Sequence, residues 1–291
     1  MTIVVTAATG QLGRLVIDEL LERVPATEIA AVVRDPVKAA GLADKNVELR
    51  IADYDDVEAL ENAFHVGDVV LLISGTEPGR RTAQHKNVLT AAIAAGASRI
   101  AYTSVIGGLG ATFALASEQH KPTELALLQS GLPYTILRNG WYTENYTDQI
   151  ATQLEHGLTG AAGAGQVGSA TRRDFAAAAA VVLSTEGHEN AIYELSGDSA
   201  WTFTEYAAEL SRQSGTAVSY RNVSVNDLAD ILAQAGLPRE QAEVFADIDA
   251  AIERGEFRGG SGDLSRLIGR ATTPLSATLA DALASLKVNQ Y

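Results

Sequence analysis

Thr6-Ala7-Ala8-Thr9-Gly10-Gln11-Leu12-Gly13 follows the chain's first β-branched run, Ile3-Val4-Val5, and leads into a stretch with the apolar spacing of an amphipathic helix. A glycine-rich turn between a first strand and a first helix lets backbone N–H groups and the helix N-terminus meet a pyrophosphate, where the macrodipole and unpaired donors favour negative charge. Gly10 and Gly13 stand where close approach and close helix packing leave no space for a side chain. The first position of the usual Gly-x-x-Gly-x-x-Gly spacing holds Ala7, so the motif is degenerate and the turn must accommodate a methyl group. A tight turn without a ligand is the plain alternative, and the placement between strand and helix argues against it.

Outward from this turn, β-branched runs alternate with amphipathic stretches as in βαβ units. Strands are expected over 3–6, 29–34, 47–52, 69–74, 99–104 and 134–138, with helices over 11–24, 56–64, 82–95 and 118–129. The unbroken run Val69-Val70-Leu71-Leu72-Ile73 suits a strand covered on both faces. These features predict an α/β fold of Rossmann type, a doubly wound parallel sheet over residues 1–140. Residues 141–291 read as a smaller, mostly helical, interleaved substrate domain. Its helices are expected near 204–213, 225–235, 239–254 and 276–286, and its single strand, 192–195, is able to return to the main sheet. The acidic residues of those helices read as solvated surface.

Composition narrows the function classes. The 291 residues are 46% hydrophobic and 20% charged, enough to bury a sizeable core and unlike a disordered chain. A formal charge of −14 with no basic, aromatic-interleaved stretch argues against nucleic acid as a partner. The absence of cysteine removes disulfides, thiolate catalysis and Cys-based zinc. The five histidines, at 65, 85, 120, 156 and 188, show no metal-binding spacing and read mostly as surface or capping residues, so no metal is expected. The first strand opens at Ile3, leaving no room for a signal peptide, and the apolar run 175–183 is too short to span a bilayer. A cytoplasmic protein, monomeric or homodimeric and without membrane partners, is expected.

Arg34, at the end of the second strand, is placed to make a charge-assisted contact with an adenosine 2′-phosphate. Asp35 follows it as a possible ribose partner, so NADPH is favoured over NADH without NADH being excluded. Pairing of Arg34 to Asp35 or a surface carboxylate is the structural alternative. Asp53, ending the third strand, is placed to accept from an adenine amino group or else to cap a helix. Ser74 and Gly75 end the fourth strand and Thr103 the fifth, at the carboxyl edge where open α/β sheets bind ligands. With Thr9, Gly10, Gln11, Leu12 and Gly13, and with Asn139, Gly140, Trp141 and Tyr142 after the sixth strand, they make up the expected cofactor site.

Reductases of this architecture use a Tyr-x-x-x-Lys pair as proton donor, and none occurs in this chain. A ketone yields a strongly basic alkoxide that needs such a donor, whereas a quinone or other conjugated acceptor yields a delocalised, weakly basic anion. The missing pair therefore points to a small quinone-like aromatic substrate. Asn139, Trp141, Tyr142 and Asn145 gather flat apolar walls and amides for such an acceptor, while packing at the domain junction is the alternative for Trp141 and Tyr146. No catalytic residue is assigned. His120, which opens the helix where the pair would lie, Tyr142 and Asn145 are the candidates.

The blocks Ala8-Thr9-Gly10-Gln11-Leu12-Gly13, Arg34-Asp35-Pro36, Ala52-Asp53-Tyr54, Ala101-Tyr102-Thr103-Ser104 and Leu137-Arg138-Asn139-Gly140-Trp141-Tyr142 resemble the NmrA-like atypical short-chain dehydrogenases over essentially the whole chain. Within that family the chain is similar to bacterial NADPH:quinone oxidoreductases, helped by the run 193–202, and to triphenylmethane dye reductases, including 250–255. The resemblance implies direct hydride transfer from NADP(H) to a quinone or dye, without flavin or metal, in a cleft between two domains. Two departures from the family pattern are Ala7, in place of a glycine, and Leu125, where relatives often carry lysine. Some family members bind NAD(P) as redox-sensing regulators and others serve aromatic polyketide pathways. A non-catalytic sensor and a tailoring enzyme for a polycyclic quinone metabolite are therefore the alternative readings.

Overall fold

The computed structural model describes residues 1–77 and 79–288. Strand and helix alternate through β1 (Ile3–Val5), α1 (Gln11–Leu21), β2 (Ile29–Val33), α2 (Ala40–Ala43), β3 (Glu48–Ile51), α3 (Val57–Ala63), β4 (Val69–Leu72), α4 (Arg81–Ala94), β5 (Arg99–Val105), α5 (Lys121–Gln129) and β6 (Tyr134–Asn139). There follow α6 (Glu144–Thr147), α7 (Ile150–His156), β7 (Leu158–Gly160), α8 (Arg172–Ser184), β8 (Ala191–Leu195), α9 (Phe203–Ser214), β9 (Tyr220–Asn222), α10 (Val225–Gln234), α11 (Arg239–Glu253), α12 (Asp263–Ile268) and α13 (Leu275–Val288). Seven strands form one parallel sheet in the order β3-β2-β1-β4-β5-β6-β8. The order reverses between β1 and β4, which opens a crevice at the carboxyl edge.

The period of two along each strand builds the layers. Val5, Leu71, Ala101 and Leu137 meet α1 and α8 on one face, while Val4, Val70, Leu72, Ile100 and Tyr102 meet α3, α4 and α5 on the other. The run Ala176-Ala177-Ala178-Ala179-Ala180 is buried throughout, its small side chains letting α8 lie close to α1. Among the described residues no helix is long and apolar enough to cross a membrane.

The chain beyond residue 140 serves two cores. β8 pairs with β6 and α8 and α12 cover the sheet, whereas α7, α9, α11 and α13 enclose a second core around Trp201, Phe203, Tyr206 and Phe257. Among its described residues this region holds three strands, not the single one expected: β7 and β9 pair in parallel beside the second core. Each has three residues with at most two buried, too short for any period to show.

Not all the acidic residues of the late helices are solvated. On α11, Asp247 accepts from the Ala114 N–H at 2.7 Å and Asp249 from the Ala161 N–H at 2.7 Å. Burial pushes the Asp249 carboxyl up to about 6. Its folded-state pKa lies above the unfolded value near 3.9, so its contribution to stability is complete below that value and is lost as pH rises through about 6. Asp249→Asn keeps the acceptor and removes the charge. It is expected to raise stability by about 1–3 kcal/mol at pH 8, with the difference shrinking from pH 6 toward pH 4, as urea unfolding across pH will show.

Candidate active site

The turn after β1 is held by a Gly10 N–H bond to the Ala7 carbonyl at 2.9 Å, and Ala8 N–H bonds Val32 O across to β2. Ala7 adopts φ +48°, a left-handed conformation that a residue with a Cβ enters at a cost of about 1–2 kcal/mol. That is the physical reason a glycine suits this position. A Cβ on Gly13 would lie 2.5 Å from Ala7 O and 2.8 Å from Ala8 Cα, so only glycine lets α1 start against the turn.

A cavity of about 920 Å³ runs from this turn along the carboxyl ends of the strands. All fourteen residues of the expected cofactor site line it, as do His120 and Asn145. At one end Arg34 lies between Glu77, at 3.5 Å, and Asp53, at 3.8 Å. Asp35 is turned back on its own backbone, accepting from Val37 N–H. Asp53 does not cap a helix: it accepts from Asp55 N–H, and Asp56 is the N-cap of α3. In mid-cavity the Thr103 hydroxyl accepts from Ser74 N–H at 2.9 Å and fixes the β4 end against β5.

At the far end Asn139 donates to the Tyr142 hydroxyl at 3.3 Å, and the Arg172 guanidinium lies over the Tyr142 ring. Arg172 also donates to Asn145 Oδ1 at 3.0 Å, so the Asn145 carbonyl is engaged. Trp141 lines the cavity and packs edge-on against Phe257. Tyr146 lies outside the cavity lining, packed on Trp201, Phe203 and Tyr206.

Among the described residues three buried side-chain atoms have no hydrogen-bond partner, Arg81 Nε, Asn139 Oδ1 and Glu144 Oε2, and all three residues line this cavity. Buried polar atoms in native proteins are overwhelmingly paired, so such exceptions mark where ligand atoms are to be met. Burial raises the Glu144 carboxyl above the ordinary range.

Residues 7–186 match the family described as NAD(P)H-binding. Quinone oxidoreductase 2 of Escherichia coli (strain K12) is 49% identical over 278 residues, 95% of this chain and 97% of that protein. This chain belongs to the NmrA-like NAD(P)H-binding family. The crystal structure of the E. coli NADPH-dependent quinone oxidoreductase complexed with NADPH superposes with a TM-score of 0.94 at 48% identity, covering 97% of this chain and 100% of that one. Citrobacter sp. triphenylmethane reductase complexed with NADP(H) gives a TM-score of 0.91 at 42% identity, covering 97% and 100%.

In this family member the α5 start departs from the expectation of a proton donor. One π-helical turn, Ala116–His120, runs directly into α5. It leaves His120 buried, with Nδ1 2.8 Å from the Tyr102 hydroxyl and Nε2 3.3 Å from Arg81 Nη1. A guanidinium only donates, so Nε2 accepts and the ring proton sits on Nδ1, directed at Tyr102. Desolvation, with Arg81 and His85 nearby, lowers the imidazole well below its usual range and keeps it neutral. Both ring nitrogens of His120 are thus engaged within the protein. His85, expected at the surface, is fully buried: Nε2 accepts from Gly75 N–H at 3.0 Å, Nδ1 meets Thr123, and desolvation lowers its pKa to about 3. Four residues after His120, Glu124 is buried and bound to Arg138 and Ser104.

Sequence reading missed Glu77, Arg81, Glu144, Arg172 and Phe245 in the lining. Glu144 is the chain neighbour of Asn145, whose place in the pocket the sequence does suggest. Arg81, Arg172 and Phe245 sit on helices whose periodicity carries no mark of the cavity.

Proposed function

We propose that this protein is an NADPH-dependent reductase that passes hydride to a quinone or similarly conjugated aromatic acceptor. One observation carries the reading: a single cavity joins a glycine turn to an aromatic-walled end where the position of a reductase's acid is held by a neutral, fully engaged His120. An acceptor that stabilises its own reduced anion suits such a site, and a simple ketone does not. The similarity to proteins described as quinone and triphenylmethane reductases supports the same class.

The residues fit a dinucleotide. The turn from Thr9 to Gly13 presents backbone N–H groups at the start of α1, Arg34 is the cation for a 2′-phosphate, and the unpartnered Asn139 Oδ1 is an acceptor for an amide N–H. When bound, the dihydronicotinamide supplies the hydride. Asp53, Ser74, Gly75, Thr103 and Gly140 line its path, Trp141 and Tyr142 wall the acceptor end, and the division near residue 140 separates the dinucleotide-binding part from the acceptor-binding part.

The test is loss of nicotinamide absorbance with a panel of quinones and dyes. Turnover is expected with small quinones, and saturable NADPH binding with no turnover across the panel would instead establish a sensor. In the same assay Arg34→Ala is expected to lower the preference for NADPH over NADH by roughly 10–100-fold, the worth of a charge-assisted contact. An unchanged preference would remove Arg34 from the phosphate site.

A further inference from the structure

Among the described residues the buried and half-buried arginines are paired. Arg50 meets Glu48 and Asp68, Arg99 meets Glu189, Arg138 meets Glu124 and Glu194, and Arg172 meets Glu144 and Asp148. Arg81 is the exception. It opens α4 and lines the cavity, with no carboxylate in ion-pairing distance among the described residues. Its Nε is buried without a partner and its Nη1 meets the neutral His120. An uncompensated charge removed from water is costly, and folded proteins retain one where a ligand supplies the opposite charge.

The lining carboxylates Asp53, Glu77, Glu144 and Asp148 form no ion pair with Arg81, which leaves two ligand sources of negative oxygen, the phosphates of a bound dinucleotide and the acceptor. The phosphates are met elsewhere, at the Gly10–Gly13 turn and at Arg34, whereas Arg81 stands beside His120 and Tyr102 at the β5–α5 end. We propose that Arg81 is the oxyanion-binding residue of the acceptor site, holding the negative oxygen that forms on the acceptor as it is reduced. This rests on the reductase reading above. Bound dihydronicotinamide would supply the hydride, its C4–H bond breaking as a C–H bond forms on the acceptor's conjugated system; the displaced π pair is relayed through that system onto the carbonyl oxygen, and NADP⁺ is the oxidised product. The resulting monoanion gains its proton from solvent, so that acceptor, NADPH and one proton give the reduced acceptor and NADP⁺. Arg81 stays protonated throughout and moves no proton. Its stabilisation is electrostatic, in a chain that has no Tyr-x-x-x-Lys pair. His120 is a positioning residue for it, because its proton on Nδ1 leaves Nε2 to receive the guanidinium.

The same site should take a quinone that is already an anion. In the NADP⁺-loaded protein, 2-hydroxy-1,4-naphthoquinone, ionised at pH 7.5, is compared by tryptophan quenching with the neutral 2-methyl-1,4-naphthoquinone. Arg81→Gln is expected to weaken binding of the anion roughly 10–100-fold, to change binding of the neutral quinone and of NADP⁺ less than about 3-fold, and to lower kcat more than it raises KM. Arg81→Lys, which keeps the charge, should recover most of the anion affinity. The melting temperature separates this role from a structural one, since removing an unpaired buried charge should leave it unchanged or raise it. A parallel loss of NADP⁺ affinity would move Arg81 to the phosphates and overturn the proposal, as would a lowered melting temperature in both variants or unchanged anion binding. Absence of quinone turnover in the unmutated protein would sink the reductase reading alone, since the anion-binding comparison still decides where Arg81 acts.

Discussion

Gly13→Val is expected to abolish measurable dinucleotide binding and to lower the melting temperature. The Cβ alone meets Ala7 O at 2.5 Å and Ala8 Cα at 2.8 Å, both backbone atoms that can yield only if α1 tilts away from the turn. Overpacking of this kind costs about 1–3 kcal/mol for one methyl group and more for a branched side chain. The same tilt swings the first N–H groups of α1 off the pyrophosphate position, so NADPH affinity should fall at least about 100-fold, the loss of two charge-assisted contacts. Gly13→Ala should show a smaller version of both effects. Gly41→Ala, with nothing within 4 Å of the added atom, serves as the control and should change neither. Unaltered NADPH affinity in a folded Gly13→Val protein, measured by fluorescence titration, would show that the phosphates bind somewhere other than this turn.

Glu124→Ala should be the most damaging single substitution outside that turn. Glu124 is fully buried and grips Arg138 through two bonds, Nε to Oε1 at 3.0 Å and Nη2 to Oε2 at 2.7 Å, while Ser104 donates to Oε1 at 2.6 Å. Arg138 continues to Glu194 at 2.8 Å, and Glu194 accepts from Gly107 N–H, so one network ties α5, β5, β6 and β8 together. Removing Glu124 leaves a half-buried guanidinium with one of its two carboxylates and a buried hydroxyl with no partner. The expected cost is about 3–5 kcal/mol, or roughly a 10 °C fall in melting temperature. The double change Glu124→Leu with Arg138→Met removes both charges and should cost less than the two single changes combined, because neither charge is left alone. A double mutant as unstable as the sum would place the stabilisation in side-chain packing rather than in the ion pair.

Legibility followed the range of the interaction. β1 to β6 and the helices α1, α3, α4 and α5 lie within a few residues of where the apolar periods put them, since pattern and strand pairing are repeated and redundant there, whereas the four-residue α2 was not foreseen. β7 and β9 escaped because a three-residue strand offers no period. The cap of α3 falls on Asp56 and not on Asp53, because the helix starts at Val57 and it is Asp56 that reaches the Ala59 N–H, a register set only in the folded chain. Arg34, Ser74, Thr103 and Asn139 could be placed on the cavity because the carboxyl ends of parallel strands converge on one edge.

By itself the stretch from Thr6 to Gly13 determined a glycine turn between a first strand and a first helix, the opening of a βαβ unit in a parallel sheet. Those are local consequences of a β-branched run, a glycine pattern and a helix start, each encoded within a few residues. Only the tertiary structure decided that His120 is a neutral acceptor, that Glu124 is neutralised by Arg138, and that Arg81 is left without a carboxylate. Charge state and pairing depend on burial and on partners tens of residues away, 39 positions for Arg81 and His120, and no local pattern records what a fold removes from water.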